Sequence, residues 1–327
     1  ISFNAYPNKT RTYENGDINS ATAMQDGSFG DVGYKSGSTI YLGSTTSAIS
    51  QSFSNTTNHW EYTTSSDLKY WPDGNMDFYA YFPYASSGDT FAGSTSSDGT
   101  VMTINNATGN QDVLFASAIN QGYQERVPLT FHHAFSKINS VNIKVTLNDV
   151  DVVVSKVEFI NTQSTENSKV LVNKSGKASY GTATGATSTC GQQLASAVTI
   201  NSTGEYKTNG YTVWTNAANK YILATNGTEN NNVTGTNKAM WDGKNTGWAN
   251  DEKLSTKGLV CLKITGKVKT HSGANYIIGS ALEDGVIYIP LKGTHANVGS
   301  GDDTSDLDSF FAGKRYTYNI VMKDNVG

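Results

Sequence analysis

One segment decides the fold class: Met76-Asp77-Phe78-Tyr79-Ala80-Tyr81-Phe82. Successive side chains of an extended chain point to opposite faces. The even-numbered residues therefore form an apolar face, and the odd-numbered ones form a face of one aspartate and two tyrosines. This period of two is typical of a half-buried strand. It recurs at 141–147, 157–159 and 316–322, and it predicts an all-β chain.

Tight turns are expected between these strands, because Asx-Gly pairs supply the positive φ angles that such turns require. The pairs occur at 26–27, 73–74, 98–99, 226–227 and 242–243. Good helix formers do not accumulate in any long window, and only segments 65–69 and 306–311 are predicted to give a helical turn. Many short strands with frequent turns favour β-sandwiches.

The length of 327 residues favours about two domains. We place the junction near residue 136, inside a long β-rich run that begins at Val127. The predicted domains are residues 1–136 and residues 137–327, and the second carries long polar loops.

The charge pattern excludes two classes of partner. The formal net charge is −4, and Lys and Arg are scattered along the chain. Binding to nucleic acid or to an anionic membrane surface therefore has no electrostatic basis. No stretch approaches the roughly 20 apolar residues of a membrane span. Because the chain opens at Ile1 without a methionine or a signal-peptide pattern, we interpret it as a mature or trimmed product.

The two cysteines, Cys190 and Cys261, leave two interpretations open. They could form one disulfide, or they could be unpaired thiols. Their spacing does not supply the two close ligand pairs of a structural zinc site, so no metal is predicted there.

Five motifs follow one another along the chain. They are KYWP at 69–72, DFYAYFP at 77–83, QDVLFA at 111–116, VPLTFHHAFSKI at 127–138 and FAGKRYTYNI at 311–320. In this order they resemble the fimbrillin family of the Bacteroidales, the type V pilins and their fimbrillin-like relatives, which include surface adhesion lipoproteins. Residues 173–280 carry little of the resemblance.

The resemblance implies two transthyretin-like, Greek-key β-sandwich domains in tandem. It also implies export as an outer membrane lipoprotein, with a lipid anchor outside this chain, and display at the cell surface. Assembly would follow removal of an N-terminal strand by an Arg-specific protease, after which the vacated groove accepts a strand from another pilin subunit. The chain ends at residues 323–327 without the further apolar segment of stalk-like members, so stalk, tip and anchor roles stay open.

The N-terminus matches this expectation. Ile1, Phe3 and Ala5 share one face of a strand, and Arg11 follows in a polar stretch. We hypothesise that residues 1–11 form the removable strand and that cleavage falls after Arg11. The alternative is an ordinary first strand followed by a solvated arginine.

No catalytic motif or cofactor-binding motif is apparent, so the chain is predicted not to be an enzyme and to need no cofactor. His132 and His133 are adjacent, and on a strand they point to opposite faces and cannot easily share a metal. We expect one to be partly buried and hydrogen-bonded and the other exposed.

Two ligand hypotheses remain. The acidic cluster of Asp302, Asp303 and Asp306 could hold calcium, although a solvated acidic turn explains it more simply. Trp241 and Trp248 could stack on a sugar, although buried packing is commoner for tryptophan. The second hypothesis for function is therefore a surface carbohydrate-binding lipoprotein that does not polymerise. A host or bacterial surface glycan or protein would be its partner.

Overall fold

The computed structural model describes residues 1–7, 20–35, 39–84, 91–93, 99–106, 109–160, 168–181, 190–202, 210–216, 261–290 and 312–322. Within these ranges the protein is nearly all β, as the alternation predicts. The first ten strands are β1 (Phe3–Pro7), β2 (Ser28–Lys35), β3 (Thr39–Leu42), β4 (Ile49–Ser54), β5 (His59–Tyr62), β6 (Met76–Phe82), β7 (Phe91–Gly93), β8 (Thr100–Asn106), β9 (Leu114–Gln121) and β10 (Val127–His133). The remaining ten are β11 (Lys137–Val145), β12 (Val150–Ile160), β13 (Ser168–Asn173), β14 (Ala178–Gly181), β15 (Cys190–Asn201), β16 (Tyr211–Thr215), β17 (Cys261–Thr270), β18 (Tyr276–Ile278), β19 (Gly285–Pro290) and β20 (Arg315–Met322).

Two short helical elements interrupt the strands of the described chain. A 3-10 turn at Ser65–Asp67 lies inside the segment predicted to give a helical turn. The five-residue helix α1 (Ala21–Gln25) was not predicted; the side chain of Ser20 caps it by accepting a hydrogen bond from the Ala23 amide at 3.0 Å. The other predicted turn, 306–311, lies outside the described residues.

Seven strands of the N-terminal region pair into a closed ring in the order β2-β4-β5-β1-β10-β9-β6. β2 closes it, because its first half pairs with β4 while Gly30–Lys35 pairs with β6. The inward side chains form one apolar core, which includes Phe3, Phe29 and Phe78. The ring removes most free strand edges, and an unpaired edge is a template for pairing with another chain.

A second sheet, in the order β14-β13-β8-β7, covers the outer face of this ring at β2, β6 and β9. Tyr34 and Tyr79 belong to the core between the two layers, and their hydroxyls donate to the carbonyls of Val101 at 2.7 Å and Lys174 at 2.9 Å. β6 is therefore buried on both faces, whereas its sequence predicts a half-buried strand. The predicted division at residue 136 stays a prediction; in the structure, β13 from the second part of the chain pairs with β8 from the first.

The third core lies between a three-stranded sheet, β16-β11-β20, and a five-stranded sheet built on β15-β12-β17. Phe159 of β12 contacts Trp214 and Tyr318, with ring centroids 5.9 Å and 5.2 Å apart.

The backbone register bears on the two cysteines. Cys190 lies opposite Phe159 on one side of β12, and Cys261 lies opposite Ile160 on the other side. Neighbouring strands are about 4.8 Å apart, so two strands that flank a third are separated by about 10 Å. A disulfide needs Cα atoms within about 7 Å, which is less than this separation between the two backbones.

Candidate functional site: the groove of the N-terminal strand

The first strand is an internal member of the ring. β1 pairs in parallel with β10, from Phe3 opposite Val127 to Pro7 opposite Phe131. On its other side Phe3 lies opposite Trp60 of β5, in antiparallel register. Since β1 fills the space between β5 and β10, the two strands form the walls of a groove that β1 occupies.

The side chains of β1 alternate as a strand with one buried face requires. Phe3 is fully buried, Ala5 is 7% exposed, and Asn4 and Tyr6 face outward. The Phe3 ring contacts Phe29 and Phe78 edge to face, with centroids 5.9 Å and 5.4 Å apart. Such aromatic pairs stabilise a core beyond the area that they bury.

Polar contacts fix the position of β1 along the groove. The Trp60 indole Nε1 donates to the carbonyl of Ala5 at 3.2 Å, and the Val127 amide donates to the carbonyl of Ser2 at 2.8 Å. The amino group of Ile1 donates to the carbonyl of Lys69 at 2.5 Å. Partial burial lowers the pKa of this amino group, and the Asp31 carboxyl opposes the shift.

Asp31 is an unusual residue in this region, because it is a fully buried acid. Its Oδ1 accepts a hydrogen bond from Gln51 Nε2 at 3.1 Å, while Asp31 Oδ2 and Gln51 Oε1 have no hydrogen-bond partner in the described part of the chain. Burial raises the pKa of Asp31 to about 8, against the smaller opposing effect of the Gln51 hydrogen bond. The Asp31 carboxyl is therefore mostly protonated at neutral pH.

Sequence reasoning did not single out Asp31. The sequence did contain a signal, which was the position of Asp31 in the alternation of β2. It lies on the same face as Phe29, and the other residues between 29 and 34 are apolar, aromatic or glycine. A carboxyl at an inward position of such a strand is either paired or has a shifted pKa.

The histidine pair lies on β10. His133 is buried, and its Nδ1 lies 2.9 Å from Oδ1 of Asp112, itself buried. His132, on the other face, is partly buried with its ring 6.0 Å from that of Phe115. Burial lowers the pKa of His132 to about 4, so it is neutral at pH 7. His132 and His133 point to opposite faces, as their adjacency on a strand requires. The expectation that one of them is exposed is wrong, because His132 packs near Phe115 on a face that is itself partly buried.

Several predicted site residues lie outside the described residues: Arg11, Trp241, Trp248, Asp302, Asp303 and Asp306. The cleavage site, the sugar-stacking residues and the calcium cluster therefore stay predictions. Among the residues that the structure does describe, no group of three or more His, Cys, Asp or Glu side chains is placed to hold a metal ion. Within the same ranges, no helix is long and apolar enough to span a membrane.

The fold and the groove define a β-rich protein whose first strand completes a ring of strands formed by the rest of the N-terminal region. The family model described as fimbrillin-like matches residues 10–327. The chain therefore belongs to the fimbrillin-like family, as the five motifs predict.

One solved structure agrees with this chain in fold. The crystal structure of a fimbrial protein from Bacteroides vulgatus superposes with a TM-score of 0.54 at 15% sequence identity, and the match covers 99% of this chain and 96% of that chain. A candidate cell adhesion protein from Bacteroides ovatus has a TM-score of 0.41 at 14% identity, over 98% of this chain and 92% of that chain. In a comparison with curated proteins, none matches this chain.

Proposed function

We propose that this protein is a structural and adhesive subunit of a bacterial cell-surface fimbria and that it assembles by protease-triggered strand exchange. The observation that carries the proposal is the position of β1. It is a terminal strand that occupies an internal place in a ring and contributes Phe3 to its core. Membership of the fimbrillin-like family supports a non-enzymatic role at the cell surface.

Loss of β1 would leave an exposed groove that another strand could fill. The β1-facing backbone groups of β5 and β10 would lose their partners, and the pocket of Phe3 would open to water. An incoming strand satisfies the backbone groups by pairing and fills the pocket with alternate side chains. Main-chain hydrogen bonds supply affinity, while the period of two fixes the register.

Cleavage after Arg11 would make β1 replaceable. Arg11 lies in the sequence that joins β1 to α1, so a cut there leaves β1 held by non-covalent contacts alone. A strand from another subunit can then compete with β1 for the groove, because β1 is no longer covalently tied to it. The partners in this proposal are other pilin subunits, and surface glycans or proteins would bind elsewhere on the displayed chain.

We further assign two transthyretin-like domains, divided near residue 136, and a lipid anchor upstream that holds the precursor at the outer membrane. The supporting observations are the separate apolar cores of the two regions and the family membership. The hairpin of β13 and β14 would then belong to the second domain in sequence and to the first in packing.

An Arg-specific protease tests the proposal directly, because the chain has three arginines: Arg11, Arg126 and Arg315. Size-exclusion chromatography with light scattering before and after digestion, with mass spectrometry of the products, would follow both cleavage and assembly. We expect loss of the first eleven residues followed by higher oligomers.

The matched variants are Arg11→Lys and Arg126→Lys, which keep the charge and remove the cleavage site. Arg11→Lys should block assembly, and Arg126→Lys, at an exposed position just before β10, should not. A clipped protein that stays monomeric would contradict self-assembly by this chain, and equal behaviour of the two variants would contradict cleavage at Arg11 as the trigger.

A further inference from the structure

Two oxygens inside the ring have no hydrogen-bond partner in the described part of the chain, Asp31 Oδ2 and Gln51 Oε1, whereas the nearby Tyr62 hydroxyl hydrogen-bonds to the backbone of Lys69. We call Asp31, Gln51 and Tyr62 the interior polar site. Asp31 is fully buried and Gln51 is 1% exposed, so neither side chain reaches bulk water. Buried polar groups are nearly always hydrogen-bonded, and leaving one unpaired is costly.

The interior polar site lies next to the start of β1. Gln51 of β4 lies directly opposite Tyr62 of β5. Phe3 lies opposite Trp60 in antiparallel register, so continuing this register by two residues places Ile1 opposite Tyr62. Ile1 is in phase with Phe3 and Ala5, and it packs against the inner core. The side chain at position 1 therefore points into the ring beside the interior polar site.

The chemistry of the site indicates what it would bind. The amide oxygen of Gln51 is a hydrogen-bond acceptor, and the Asp31 carboxyl, which is mostly protonated with the present strand, accepts through both oxygens once it ionises. An ammonium or guanidinium group offers several donors, and its positive charge would lower the pKa of the buried Asp31 carboxyl and so favour the ionised form that accepts them. The isoleucine at position 1 offers neither, and its own amino group is engaged with the carbonyl of Lys69.

We propose that the interior polar site is a specificity subsite that binds the basic side chain, lysine or arginine, at the first inward position of the strand occupying the β1 groove. As a statement about strand choice this rests on the proposed function. Among the described residues, the resident strand leaves Asp31 Oδ2 and Gln51 Oε1 without partners, whereas a donor strand with a basic residue at this position supplies donors to both. Exchange of the resident strand for such a donor is therefore favoured.

A double-mutant cycle on the intact chain tests the subsite without requiring exchange. Ile1→Lys is compared with Ile1→Met, an unbranched apolar control of similar length, in the wild-type and Asp31→Asn backgrounds. The equilibrium constant for denaturant unfolding is measured at pH 7. Hydrogen bonds to charged groups predict that Ile1→Lys favours the folded state over Ile1→Met by about tenfold when Asp31 is present, and by less than twofold in Asp31→Asn.

Equal ratios in the two backgrounds would overturn the subsite and leave the two oxygens to ordered water. The proposed function has a separate readout. Peptides that copy residues 1–7 with lysine or methionine at position 1 are offered to the clipped chain, and their incorporation is measured. If neither peptide enters, strand exchange fails while the cycle still reports on the subsite. Preferential entry of the lysine peptide, by about tenfold, would support both.

Discussion

Truncation of the Phe3 side chain is the most direct test of β1 as a member of the ring. In Phe3→Ala, removal of the phenyl group leaves a cavity beside Phe29 and Phe78. Both side chains are buried, and their ring centroids lie 5.9 Å and 5.4 Å from that of Phe3. Phe→Ala changes in well-packed cores cost 3–5 kcal/mol, and Phe3 loses two edge-to-face contacts, so we expect about 4 kcal/mol of destabilisation.

The matched control is Asn4→Ala, which changes the neighbouring outward residue of the same strand. An exposed position away from specific contacts should change the free energy of unfolding by less than about 0.5 kcal/mol. Urea unfolding of the intact chain gives both values, provided that the dependence on denaturant is unchanged.

The same substitution should act on the clipped protein. After cleavage at Arg11, a loss of about 4 kcal/mol corresponds to release of the strand that is favoured by about a thousandfold. Hydrogen exchange at the Val127 amide, which donates to the carbonyl of Ser2, would report the release. A Phe3→Ala protein within 1 kcal/mol of wild type would refute the assignment of Phe3 to a tightly packed core, and with it the physical basis of the groove.

Three further predictions follow from the packing. Asp31 has a pKa of about 8 in the folded state against 3.8 for a free carboxyl, so it destabilises the folded state by an amount that is absent below pH 4 and grows as the pH rises to 8. The free energy of unfolding of Asp31→Asn should therefore exceed that of wild type by about 4 kcal/mol at pH 7 and equal it near pH 4, as measured by unfolding at both pH values. Gly266→Ala should unfold the C-terminal region or destabilise it by more than about 3 kcal/mol, because the new Cβ would lie 1.9 Å from the Val153 carbonyl oxygen. The control Gly122→Ala, whose nearest contact would be 3.4 Å away, should stay within about 1 kcal/mol of the wild-type stability in thermal unfolding. Tyr34→Phe should cost 1–3 kcal/mol in urea unfolding, because it leaves a carbonyl of β8 without that donor, and a neutral effect would contradict the bond as a tie between the two sheets.

The strands were largely predictable because their signal is local. The period of two at 76–82 and 141–147 reflects the pleat of an extended backbone, which does not depend on the partner strand. The same rule assigned Phe3 and Ala5 to one face of β1. The helix α1 was missed because five residues carry too little periodicity to register.

The environment of each strand was not predictable in the same way. The odd-numbered residues of β6 were expected on an open face, yet Tyr79 and Tyr81 are buried because β8 and β13 cover them. β13 begins 86 residues after β6 ends, counted from Phe82 to Ser168, and the sequence of β6 does not indicate which strands pack against it. The position of β12 between the strands of Cys190 and Cys261 was likewise not predictable from the sequence around either cysteine.

The sequence by itself determined the β class, the inward face of the first strand and the family, because alternation and motif order are written in short runs of residues. Only the tertiary structure decided that β1 occupies the place between β5 and β10 in the ring and that Asp31 is fully buried inside it. These facts depend on pairing between segments far apart in the chain. Such pairing is selected by the burial of the whole core rather than by any local preference.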